Sequence, residues 1–374
     1  MGACSPKTVL SVRSAGMSGP TNQQVLEALG RIQDPDLGRD IVSLGMIKEL
    51  EITPQGKVSF TFELTTPACP VRDRFKTQAE DAVNDLPGVT GVDVRMTANV
   101  RPAFLRKPSE ILPGVKQTIA VASGKGGVGK STVAVNLAAA LRKSGATVGL
   151  LDADILGPSV PVMTGSRVRP EQSNGHLVPI EVHGLKVMSF GHVRPPDEVT
   201  VFRGPMVGKM IEELMRLTDW GRLDYLVIDL PPGTGDASLT LGQVIPLTGV
   251  AIVCTPQDVA TNIAVNALQM FRKLNVTPLG LIENMSWYVC PECGHRHEIF
   301  SHGGAEAAAK RLGVPFLGAI PLEEGIREDA DKGTPVVISR PESAGAKAFE
   351  AIASQVAART SIQSFRQLPV ISVH

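Results

Sequence analysis

The run Gly124-Lys125-Gly126-Gly127-Val128-Gly129-Lys130-Ser131-Thr132 limits what this chain can fold into more than any other feature. It follows the apolar stretch Thr118 to Ala122 and opens a segment in which Val133, Leu137, Ala140 and Leu141 recur at helical spacing. Strand, glycine-rich turn and helix in that order make a phosphate loop, because the glycines let successive backbone N–H groups converge on phosphate oxygens at the positive end of the helix. In such a loop Lys130 reaches the β- and γ-phosphates and Ser131 ligates Mg²⁺, while residues Gly124 to Gly129 and Thr132 complete the cradle.

The chain beyond residue 116 alternates apolar, β-rich runs with helical patterns, which predicts an α/β fold: a P-loop NTPase with a mostly parallel, doubly wound sheet. The strand candidates are Thr118 to Ala122, Val148 to Leu151, Leu185 to Phe190, Tyr225 to Ile228, Val250 to Val253, Leu279 to Ile282 and Pro315 to Ala319. Two of them run directly into carboxylates, Asp152-Ala153-Asp154 and Asp229, which places these acids at the strand ends where open α/β sheets bind ligands. Asp229 reads as the acid that holds a Mg²⁺ water, Asp152 stands near the metal, and Asp154 orients the attacking water. A plain capping role is the alternative for each. Gly233-Thr234-Gly235-Asp236 reads as a switch whose glycines permit a backbone shift.

Ahead of this lies a small α+β unit, residues 21–96, in the order α-β-β-α-β. Thr21 and Gln24 form a capping-box pair, Pro54-Gln55-Gly56 turns a hairpin, and Pro87-Gly88 precedes the last strand. Residues 97–115, with Pro102, Pro108 and Pro113, read as a linker, residues 1–20 and 361–374 as tails, and residues 116–360 as the ATPase domain.

Charge and composition narrow the partners. Lys+Arg and Asp+Glu number 37 each, and aromatics are only 4% of the chain, so neither a long-range basic field nor a base-stacking platform favours nucleic acid. No apolar run approaches the length of about 18 residues needed to span a membrane. Five cysteines, an odd number in a chain without a signal-peptide core, predict reduced thiols and a cytoplasmic setting, with an organelle stroma or matrix left open by the acid-free N-terminal tail.

Cys290-Pro291-Glu292-Cys293 has the two-residue spacing that lets both thiolates face one ion. Alone, such a knuckle is most often a structural zinc site, here one held within one chain by Cys290, Cys293, His295 and His297. Cys69 follows a Thr-Pro turn near a predicted helix start, where a thiolate is favoured, and is equally readable as an inert buried cysteine; Cys4 and Cys254 are expected to have no function.

Lys125 is not demanded by an ordinary phosphate loop, and with it the loop resembles the deviant Walker A of the MinD, ParA, ArsA and nitrogenase iron-protein group. That resemblance implies a homodimer in which Lys125 reaches the partner's phosphates. Together with Asp152-Ala153-Asp154-Ile155-Leu156-Gly157-Pro158-Ser159, Asp229-Leu230-Pro231-Pro232-Gly233-Thr234-Gly235-Asp236 and the Cys290/Cys293 pair, the loop resembles the Mrp/ApbC family of iron-sulfur cluster carrier ATPases. The likeness covers Gln117 to Arg359, and the first unit is similar to the small domain often fused to these carriers. It implies ATP hydrolysis with Mg²⁺, catalytic roles for Lys125, Lys130 and Asp154, and an adenine contact at Asn284. It further implies a [4Fe-4S] cluster bridging two chains through Cys290 and Cys293, a cluster donor, and recipient apoproteins. The alternative is a MinD/ParA-like positioning ATPase with a structural zinc.

Overall fold

The computed structural model describes residues 19–103, 111–193, 204–290 and 292–366. The chain divides into two compact units, Met1–Leu64 with Val71–Thr97, and Thr65–Pro70 with Ala98–His374. The expected tail as far as residue 18, the Pro108 region, Pro291 and the last eight residues lie outside the described residues.

In the first unit, helix Asn22–Leu29 opens on the expected capping box: Thr21 N–H donates to Gln24 Oε1 at 2.8 Å and Gln24 N–H to Thr21 Oγ1 at 3.3 Å. Strands Ile47–Ile52, Lys57–Leu64 and Gly91–Ala98 form a three-stranded sheet, and helix Arg72–Asn84 buries Phe75, Ala79 and Val83. The rings of Phe62 and Phe75 meet at 5.4 Å, as the alternation of Val58, Phe60, Phe62 and Leu64 requires of a half-buried strand. A two-residue ladder, Gln33–Asp34 with Arg39–Asp40, is added to the expected order.

The second unit is built on an eight-stranded sheet. Its strand order is Ile180–Val182, Leu185–Ser189, Val148–Asp152, Leu223–Asp229, Val115–Ser123, Gly249–Cys254, Pro278–Glu283 and Phe316–Ala319. All neighbours are parallel except the edge pair Ile180–Val182 with Leu185–Ser189. Successive residues of the central strand feed opposite faces. Ile119 and Val121 join a core with Val133, Leu137, Leu141, Phe349, Ile352 and Val356, whereas Ala120 and Ala122 join one with Ile211, Leu214, Trp220, Leu268 and Phe271. Helices Lys130–Lys143 and Ala344–Arg366 therefore cover one face, and Gly204–Leu217 and Asp258–Lys273 the other.

Two expected boundaries move. Helix Ala344–Arg366 runs six residues into the expected C-terminal tail, because the hydroxyls that make its end look polar are satisfied inside: Ser364 Oγ donates to Thr360 O at 3.1 Å and accepts from Gln117 Nε2 at 2.6 Å. The expected linker is anchored at both described ends, since Val100 and Leu112 are buried and Gln117 Nε2 donates to Arg101 O at 2.6 Å. No helix among the described residues is long and apolar enough to cross a membrane.

Candidate functional site

The phosphate loop lies between strand Val115–Ser123 and helix Lys130–Lys143. Gly127 and Gly129 have φ of 78° and 80°, the left-handed region that glycine enters without a Cβ penalty. A Cβ on Gly129 would also lie 2.2 Å from Asn284 Nδ2, so the position excludes side chains on two grounds. Ser123 Oγ donates to Lys125 O at 2.9 Å and steadies the entry of the loop.

At the neighbouring strand ends, Asp152 and Asp229 are register partners and both are fully buried. Lys130 Nζ sits 2.5 Å from Asp229 Oδ1 and 3.4 Å from Ser131 Oγ. Burial, and after it the adjacent Asp229 carboxylate, push Asp152 up to about 7. Burial likewise raises Asp229, against the pull of Lys130. Asp229 Oδ2 is buried and makes no hydrogen bond among the described residues. A buried, orphaned carboxylate oxygen with Asp152 and the Ser131 hydroxyl beside it is a hard-oxygen donor set of the kind Mg²⁺ takes, so these residues fit that ion.

Asp154 is half-buried beyond the strand end, and its Oδ1 accepts from Gly157 N–H at 3.3 Å. Lys125 is half-buried in the loop. The glycine segment expected to act as a switch starts close by, with Gly233 N–H donating to Ser123 O at 2.9 Å. Asn284, expected at adenine, has its amide on the loop: Nδ2 donates to Val128 O at 2.8 Å and Oδ1 accepts from Met285 N–H at 3.0 Å.

Sequence reasoning missed the supports of Asp152. Its Oδ2 accepts from Ser189 Oγ at 3.1 Å and Val160 N–H at 3.2 Å, and its Oδ1 from Asp154 N–H at 3.1 Å. The signal for Ser189 was a hydroxyl at the end of an apolar strand, in register with the acid on the next one.

The cysteine pair stands at the tip of a small β-ribbon, Tyr288–Val289 paired antiparallel with Arg296–His297. Cys290 N–H donates to His295 O at 2.9 Å and Gly294 N–H to Cys290 O at 2.8 Å, closing the turn with Gly294 at φ 67°. Cys290 is half-buried and Cys293 exposed. Backbone N–H groups of Cys293 and Glu292 hold the Cys290 thiol below the ordinary thiol range, which favours the thiolate that binds metal. His295 and His297 stack edge-on at 4.5 Å, and among the described residues no three His, Cys, Asp or Glu side chains gather as a metal-holding group. The zinc arrangement within one chain is therefore not assembled there. Cys254 is buried and its thiol pushed up to about 12 by that burial.

A family profile described as the NUBPL iron-transfer P-loop NTPase matches residues 114–357, and a profile described as an iron-sulfur cluster assembly protein matches residues 22–94. The chain belongs to the NUBPL iron-transfer P-loop NTPase family. Among relatives of this NTPase is the iron-sulfur cluster carrier protein of Synechocystis sp., 47% identical over 348 residues, 91% of this chain and 98% of that protein. The chloroplastic Fe-S cluster assembly factor HCF101 of Arabidopsis thaliana is 44% identical over 88% of this chain and 62% of its own length. Among solved structures, a nucleotide-binding protein of Archaeoglobus fulgidus in complex with ADP shares 38% identity and a TM-score of 0.55, covering 63% of this chain and 92% of that one. The expected fold class, an NTPase sheet preceded by a small α+β unit, stands on these matches and on the sheet itself.

Proposed function

We propose that this protein is an ATP-hydrolysing iron-sulfur cluster carrier that couples nucleotide turnover to delivery of the cluster to recipient apoproteins. The observation that carries the reading is one unit holding both a phosphate loop backed by two buried carboxylates and a ribbon that presents two thiols with no third ligand gathered beside them among the described residues. Family membership supports the ATPase, and relatives named as cluster carriers over nearly the whole chain support the cargo. A positioning ATPase with a structural zinc would leave those names unexplained.

Lys130 is held by Asp229 until nucleotide arrives; phosphate oxygens then take over its charge, and Lys130 stabilises the negative charge that develops on the transferred group. Mg²⁺, held by Ser131 with Asp152 and Asp229, supplies charge neutralisation of the phosphates when bound. Asp154 orients the attacking water, Lys125 reaches the phosphates of a second copy, and Asn284 serves the adenine from its place on the loop. The backbone N–H groups of residues 124–132 hold the phosphate chain against this machinery.

The cargo is a [4Fe-4S] cluster shared by Cys290 and Cys293 of two chains, since such a cluster commonly takes four cysteine ligands and each chain offers two here. A separate donor supplies it, and the compartment is the cytoplasm or an organelle interior where thiols stay reduced. Protein made without oxygen should contain iron and sulfide, show the visible absorption of a cluster, and carry one four-iron cluster per dimer. One tightly held zinc per chain with no iron uptake would refute the reading.

A further inference from the structure

The segment from Glu283 to Val289 leads from the end of sheet strand Pro278–Glu283 into the cysteine ribbon. At its start Asn284 Nδ2 holds Val128 O of the phosphate loop at 2.8 Å and is in close approach to Gly129. Ser286 Oγ then lies 2.5 Å from both Glu283 Oε1 and His302 Nδ1. A hydroxyl has one proton and a carboxylate accepts only, so Ser286 donates to Glu283 and accepts from His302 Nδ1–H. Glu283 is fully buried and also accepts from Gly303 N–H at 2.9 Å and Ala305 N–H at 2.8 Å, seated at the positive end of helix Gly304–Leu312. His302 meets Trp287 edge-on at 5.9 Å, and the Trp287 face carries the guanidinium of Arg296 at 4.5 Å. Arg296 is the ribbon partner of Val289, next to Cys290.

We propose that Ser286 and His302, clasped on Glu283, are positioning residues that transmit the state of the phosphate loop to the Cys290–Cys293 ribbon. Phosphate entering the loop shifts the Val128–Gly129 backbone, and Asn284 moves with it. Met285, at φ 57°, is the point at which the chain would absorb that motion. The clasp prevents this: with Glu283, Ser286 and His302 locked together, displacement passes to Trp287 and Arg296 and so to the turn that carries Cys290. The proposal deepens the cluster-carrier reading and rests on it for the occupants of the two sites.

Thiol alkylation tests it on the iron-free full chain. Iodoacetamide labelling rates of Cys290 and Cys293 are read by peptide mass spectrometry without nucleotide and with a slowly hydrolysed ATP analogue, while equilibrium dialysis reports nucleotide affinity. The wild type should change its Cys290 rate by about fivefold or more on binding. Ser286→Ala and His302→Ala should bring that ratio close to one with nucleotide affinity kept. His302→Asn, whose amide replaces the Nδ1–H donor, should restore it. His302 is a third exposed, so its variants test the idea even if Ser286→Ala fails to fold. A wild type whose labelling ignores nucleotide, or a ratio that survives in His302→Ala at unchanged affinity, overturns the proposal. Failure of the protein to take up iron and sulfide would refute the cargo reading and leave this result standing.

Discussion

Asp152 and Asp229 stand side by side as register partners at the ends of adjacent parallel strands, both fully buried, and Lys130 touches Asp229 at 2.5 Å. Two carboxylates so placed repel when ionised, and the lysine offsets this, strongly for Asp229 and weakly for Asp152. The arrangement suits an incoming cation and phosphate, and it gives the loop lysine a structural role in the absence of nucleotide.

Lys130→Ala should accordingly do two things. ATP turnover should fall by about 10²-fold or more. Chemical denaturation should also show a loss of about 3 kcal/mol, because the Asp229 charge is left buried without its partner. Adding Asp229→Asn should recover part of that loss, a coupling of about 1–3 kcal/mol in a double-mutant cycle.

Cys290→Ala and Cys293→Ala should each remove iron and sulfide from reconstituted protein while leaving ATP affinity unchanged, since both residues lie on the ribbon and neither packs in the core. A variant that keeps its full iron content would place the cluster elsewhere.

Lys125→Ala is expected to abolish hydrolysis and to retain nucleotide binding. Mixing it with an Asp154→Ala chain should restore turnover in hybrid dimers, because each would supply the residue the other lacks. Hydrolysis by a monomeric wild type in sedimentation would contradict the role across the dimer.

A fragment beginning at Ile111 should still hydrolyse ATP, as the whole phosphate site lies beyond that residue. It should be less stable by about 1–3 kcal/mol than the full chain. The reason is the buried Tyr225 hydroxyl, which donates to Thr66 Oγ1 at 3.0 Å, a hydrogen bond the fragment loses while Thr360 stays beside it. Urea unfolding of the two proteins measures the difference.

His192 gives one pH dependence, opposite in sense to that of the raised Asp152 carboxyl over the same range. Burial pushes it down to about 4 from 6.5, and with Ser189 N–H donating to Nδ1 the Nε2–H is left for Ser166. Below 6.5 the unfolded chain takes a proton that the native one does not, so the contribution is complete above 6.5 and is lost as pH falls toward 4. Thermal unfolding across that window should fall more steeply for the wild type than for His192→Gln.

The seven parallel strands, the phosphate loop, the acids at the strand ends and the cysteine turn are all legible in the sequence. Each is written in adjacent residues: a strand buried on both faces reads as one apolar run, and the loop needs its glycines within a single turn. The antiparallel edge strand Ile180–Val182 was illegible because its three residues, two half-buried and one exposed, are too few to carry a period. Helix Ala344–Arg366 looked shorter than it is because its terminal hydroxyls find partners as distant as Gln117. Long-range packing alone brought Ser189 to Asp152, Asn284 to Val128, and His302 to Ser286 and Glu283. Such pairings depend on which strands become neighbours and how they register, and that is settled by packing of the whole sheet, where no local pattern of residues records it.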